Sequence, residues 1–174
     1  MKTPTTFLLA ATAAILTLSS AGTARAEYDI KEYRAESHLN VFAMYLSPNS
    51  GELEKAWGGG LGFDFFFNEF IGVSLGGAWA DVDAGDMWQT YTADFNLRFP
   101  IPEGGLAPYV YVGGGAFIGD GSEMLARGGA GLDIRFLPIP LFIDWSYTFL
   151  SGTDGSKDGN QDFQAVRIGT RLVF

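Results

Sequence analysis

The sequence predicts an all-β chain: an eight-stranded antiparallel, transmembrane, up-and-down β-barrel preceded by a signal peptide. Three observations carry this expectation. Residues 1–26 read as an export signal, and the remainder alternates between apolar and polar or small residues in eight segments. The connections between those segments alternate between tight turns and polar loops, as an antiparallel barrel with both termini at one end requires.

Lys2 supplies a positive n-region, Phe7 to Leu18 an apolar stretch, and Ala24-Arg25-Ala26 a small-x-small site before Glu27. The stretch is shorter than the roughly 20 residues that a bilayer-spanning helix needs, so cleavage after Ala26 is expected rather than anchoring. Cleavage removes Lys2 and Arg25 and no acid, taking the formal net charge from −9 to −11. Residues 27–36 are highly charged and read as a short mobile periplasmic tail, and residues 37–174 as the barrel domain. Every apolar run after Glu27 is broken by Gly or a charge, so any membrane insertion has to use strands.

The strands follow in order. His38 to Leu46 alternates imperfectly. Trp57 to Phe67 sets Trp57, Leu61, Phe63, Phe65 and Phe67 against Gly58, Gly60, Gly62 and Asp64, and after Asn68-Glu69, Ile71 to Trp79 sets Ile71, Val73, Leu75 and Trp79 against Gly72, Ser74, Gly76 and Ala78. Gln89 to Phe99 opposes Tyr91, Ala93, Phe95, Leu97 and Phe99 to Thr92, Asp94, Asn96 and Arg98. In Pro108 to Ile118 the Gly113-Gly114-Gly115 run blurs the faces. Met124 to Phe136 sets Ala130, Leu132, Ile134 and Phe136 against Arg127, Gly129, Gly131, Asp133 and Arg135. Leu141 to Phe149 sets Ile143, Trp145, Tyr147 and Phe149 against Asp144, Ser146 and Thr148, and Val166 to Phe174 sets Val166, Ile168, Thr170, Leu172 and Phe174 against Arg167, Gly169 and Arg171.

A soluble lipocalin-like barrel turns its greasy face inward around a ligand, whereas a membrane barrel turns it to lipid. The glycine-rich face suits a crowded lumen better than a water-exposed surface. Trp57, Trp79, Tyr91 and Phe149 near the loop ends and Phe67, Phe99, Phe136 and Phe174 near the turn ends form two expected girdles. The inward charges are then Asp64, Asp94, Asp133 and Asp144 with Arg98, Arg127, Arg135, Arg167 and Arg171, which should pair as a structural network, since an unpaired charge inside would be costly.

On these residues the chain resembles the eight-stranded outer-membrane barrels of the OmpA/OmpX and opacity-protein type. The likeness rests on Ala107-Pro108-Tyr109-Val110, on Leu141 to Phe149, and on the terminal aromatic of Val166 to Phe174. It implies the outer membrane of a Gram-negative-type bacterium, with Phe174 as the signal read by the barrel-assembly machinery, and outer-membrane lipid and lipopolysaccharide as further partners of a monomer. The loops are short for a surface-antigen member of that group.

The chain has no Cys, which removes disulfides, thiolate metal sites and a Cys nucleophile. A net charge of −9 repels nucleic acid. No cofactor is expected, because Gly113 to Gly115 opens no helix to hold a pyrophosphate. A barrel enzyme acting on lipid A needs a His beside Ser and a carboxylate or amide near the outer leaflet. The single His, His38, is expected instead at a solvated rim on the periplasmic side, so a non-catalytic structural or cell-surface role leads over a lipid-modifying enzyme, a narrow pore or a soluble ligand-binding barrel. Asp81, Asp83 and Asp86 resemble the start of a calcium loop but lack its bidentate Glu.

Overall fold

A computed structural model describes residues 32–49, 55–82, 86–101, 103–119, 121–151 and 162–174. The expected signal peptide and residues 27–31 lie outside them. Eight strands run β1 Glu36–Pro48, β2 Ala56–Phe66, β3 Ile71–Val82, β4 Asp86–Arg98, β5 Leu106–Ile118, β6 Ser122–Ile134, β7 Leu141–Ser151 and β8 Phe163–Val173. Each pairs antiparallel with the next, and β8 returns to β1, so the barrel closes and leaves no unpaired edge. At the seam Phe174 donates its N–H to the Ser37 carbonyl at 2.9 Å.

Most strand ends differ from the sequence reading by one to three residues, and three of these differences bear on the lumen or its turns. β1 starts at Glu36, so the last residue of the expected tail belongs to the barrel. β8 begins at Phe163, three positions before Val166. β6 stops at Ile134, two residues before Phe136, and the Arg135 N–H just beyond it donates to the Gly105 carbonyl, 2.6 Å away in the β4–β5 turn. Gly105 has φ +58°, and a Cβ there would stand 2.9 Å from the Phe136 nitrogen, so the turn needs a residue without one. In the β2–β3 turn the Asn68 side-chain oxygen accepts from the N–H groups of Phe70 and Ile71, both at 2.8 Å, a local bond that fixes the reversal.

The greasy rows point outward. Trp57, Leu75, Met124 and Ile168 are each more than half exposed, as are Phe67, Phe99, Phe136 and Phe174 around the turn end. A soluble sheet would bury such rows. At the loop end, Tyr45 and Trp57 lie with ring centroids 4.8 Å apart and Tyr147 and Phe149 4.7 Å apart.

The lumen is filled in two layers. Its loop-side half is mainly apolar: Met44, Leu46, Trp88, Phe117, Leu125, Leu150 and Phe163 are buried there beside Thr92, Ser146 and Thr148, with Trp88 and Phe117 packed edge to face at 5.3 Å. The sequence reading expected polar and small residues inside throughout. Runs such as Met44-Tyr45-Leu46 and Phe149-Leu150 are apolar on both faces, so the two-residue period that marks inside from outside fades there. Charge is confined to the middle and the turn-side half.

Candidate functional site: the charged lumen

Inward positions of six strands, together with Arg135 just past β6, bring the charges together. In the middle of the lumen Arg167 grips Asp144 with two prongs, Nε to Oδ1 at 2.8 Å and Nη2 to Oδ2 at 2.9 Å. The Tyr109 hydroxyl donates to the same carboxylate at 2.8 Å and that of Tyr111 at 3.3 Å. Both rings have room because their partners in register on β6, Gly131 and Gly129, have no side chain. Arg127 forms a second fork on Asp94, with Nε 2.9 Å from Oδ1 and Nη2 on Oδ2.

Nearer the turn end a second cluster centres on Glu36. Arg98 reaches it at 2.7 Å and Arg135 at 2.6 Å, while Arg135 and Arg171 hold Asp133 at 3.2 and 3.0 Å. Arg171 also faces Asp64 at 3.8 Å. All nine charged residues expected inside from the sequence do face the lumen. Glu36 joins them as a carboxylate assigned to the tail, and it makes the network five carboxylates against five guanidiniums. The missing acid had a signal: four aspartates against five arginines leave one cation over, and Glu36 continues the inward row of His38 and Asn40.

The expected mobile tail is, over residues 32–36, a stopper in the turn-side mouth. Tyr33 lies between two cations, with the Arg135 guanidinium 4.1 Å and that of Arg98 4.7 Å from its ring. Arg135 donates to the Glu32 carbonyl at 3.2 Å and Arg98 to the Arg34 carbonyl at 3.3 Å. Burial pushes the Tyr33 phenol above its ordinary range, and the Asp133 charge adds to the rise.

His38 is not at a solvated rim. It is fully buried, with Nε2 3.1 Å from both Arg135 Nη2 and Glu36 Oε1 and Nδ1 3.6 Å from Asp64. Asp81 pairs in register with Met87, Asp86 opens β4 opposite Val82, and Asp83 lies outside the described residues. Among the described residues no three His, Cys, Asp or Glu side chains gather as a metal site. Among the described residues two small lumenal voids stand out, of about 30 and 20 Å³, and Arg127 and Arg167 line both. That is space for a water or two, not for an organic ligand.

No protein-family model matches the sequence, and no curated protein does. Solved structures match over most of the chain. Neisserial surface protein A superposes with a TM-score of 0.62 at 10% identity, covering 79% of this chain and 97% of its own. The chain has the fold of the eight-stranded outer-membrane barrels. The attachment invasion locus protein Ail of Yersinia pestis matches at TM-score 0.56 and 19% identity, over 81% of this chain and 99% of its own. The outer membrane enzyme PagL matches at 0.52 and 15%, over 76% and 98%. A surface protein, an attachment protein and an enzyme on one barrel mean that the fold alone does not select an activity.

Proposed function

We propose that the protein is a non-catalytic β-barrel of the outer membrane with a structural or cell-surface interaction role, exported by a signal peptide at residues 1–26. The observation that carries this reading is the inversion of the molecule: large apolar side chains outside, a charge-balanced and closed lumen inside. Such a surface is stable only against lipid, where a closed barrel satisfies every backbone group internally. Its partners are outer-membrane lipid and lipopolysaccharide, with the barrel-assembly machinery reading Phe174 during insertion, and it works as a monomer without a cofactor.

The alternatives lack support of this kind. A soluble ligand-binding barrel needs an apolar cavity, and the voids that the described residues enclose are water-sized. A pore would have to pass the apolar layer around Trp88 and Phe117. An enzyme using His38 would need a substrate to reach a side chain sealed inside the wall. The test is gel migration of the mature chain refolded in detergent. A closed membrane barrel resists SDS until boiled and then changes mobility. A protein that is monomeric and soluble in plain buffer, with no heat-dependent shift, would overturn the reading.

A further inference from the structure

On the outward wall at the loop end, strands β7, β8 and β1 carry a polar island. Gln164 stands in register opposite Tyr147, and its amide is held at both ends. Its oxygen accepts from the Trp145 indole N–H at 3.1 Å, and its nitrogen donates to the Asn49 side-chain oxygen at 3.0 Å. The Asn49 N–H donates to the Asp162 carbonyl at 3.0 Å, and the Asp162 carboxylate accepts from the Tyr147 hydroxyl at 3.1 Å through Oδ2, while its Oδ1 is buried, out of reach of solvent. Two amides and a carboxylate are thus fixed in orientation, with exposed Trp145 on one flank and the Tyr45–Trp57 pair on the other.

The chemistry narrows the ligand. An acyl chain would strip water from these polar atoms and return no hydrogen bond, at a cost of roughly 1–3 kcal/mol for each group left unsatisfied. A phosphate would meet the Asp162 charge. A sugar ring suits both parts of the island: its hydroxyls exchange hydrogen bonds with the amides, and its C–H face lies on an indole or phenol ring. We propose that this island binds the sugar of a glycolipid headgroup in the outer leaflet. The proposal rests on the outer-membrane reading above, which places the island at the depth of the aromatic girdle, where such headgroups lie.

The test uses the mature full chain in phosphatidylethanolamine–phosphatidylglycerol nanodiscs, doped in turn with lipid A, with a phosphate-free diglucosyl diacylglycerol, or with additional phosphatidylglycerol. Bound lipid is counted by native mass spectrometry. The wild type should retain both sugar lipids over phosphatidylglycerol, and the Asn49→Ala/Gln164→Leu double variant should retain them about tenfold less, as the loss of one or two hydrogen bonds implies. Gln89→Leu is the control for a general interfacial effect, because Gln89 is another girdle amide, accepting from the Tyr91 hydroxyl at 2.9 Å. It should leave retention unchanged. Equal retention by wild type and double variant overturns the proposal alone, as does retention of lipid A without the phosphate-free lipid, which would mean phosphate recognition. Failure of the wild type to enter nanodiscs overturns the outer-membrane reading and this proposal together, and a heat-dependent gel shift in each variant confirms that the barrel has formed.

Discussion

Glu36 and Arg135 form a two-pronged ion pair inside the barrel, with Oε1 2.6 Å from Nη2 and Oε2 3.0 Å from Nη1, although the two residues are 99 positions apart in the sequence. The same carboxylate holds Arg98. Glu36→Gln keeps the shape and removes the charge that two buried guanidiniums share. Breaking a buried pair on one side costs about 3–5 kcal/mol. The urea midpoint of the refolded barrel in lipid vesicles should fall accordingly, and Glu36→Gln/Arg98→Gln should recover part of the loss by restoring the balance. An unchanged midpoint in the single variant would mean that the mouth is hydrated and the pair unimportant.

The stopper should respond to alkaline pH. Burial raises the Tyr33 phenol above its ordinary 10.0, so the docked segment favours the neutral form. A pKa raised on folding contributes stability that is complete below the unfolded value and is lost as pH rises through the folded one. Subtracting the phenolate absorbance of Tyr33→Phe from that of the wild type should therefore isolate a phenol that ionises above 10.0. A difference curve centred at or below that value would place Tyr33 in solvent.

Gly131 is where the charged lumen depends on a missing side chain. A Cβ there would stand 2.6 Å from the Tyr109 ring and 2.5 Å from the Asp144 Cβ. Gly131→Ala should displace the ring, break the 2.8 Å bond from Tyr109 to Asp144, and cost about 1–3 kcal/mol by overpacking. Combined with Tyr109→Leu the loss should be clearly less than additive, because both changes act on one contact. Strict additivity of the urea midpoints would show that the glycine serves the ladder and not the ring.

The residues that were hard to read share a physical cause. Alternation exposes a strand where one face meets lipid or solvent and the other a different environment, as in Gln89 to Phe99, whose Asp94 and Arg98 face the lumen as the pattern implies. It fails at Leu46, Trp88 and Phe117, where both faces are apolar. Composition misled at the start of the chain: the charges of Glu27 to Glu36 look like a solvated tail, yet Tyr33 and Glu36 are drawn in by Arg98 and Arg135, cations that arrive from distant strands. His38 follows Glu36 inward for the same reason. A pairing partner far along the chain leaves no local trace beyond the surplus arginine.

Phe174 separates stability from assembly. Its ring points outward and is 62% exposed, while its backbone N–H closes the seam on Ser37 and survives any side-chain change. Phe174→Ala should therefore shift the unfolding midpoint of the detergent-refolded barrel by no more than about 1 kcal/mol, as expected for an exposed position. If the ring is instead what the assembly machinery reads, the same variant expressed in cells should reach the outer membrane at a small fraction of the wild-type level and collect as unfolded chain in the periplasm. Phe174→Tyr, which keeps an aromatic ring at the terminus, should restore most of that level. Equal outer-membrane amounts of wild type and Phe174→Ala would remove the signal role and leave the ring as one member of the turn-side girdle. A parallel fall in refolding yield and cellular level would make its contribution one of stability alone.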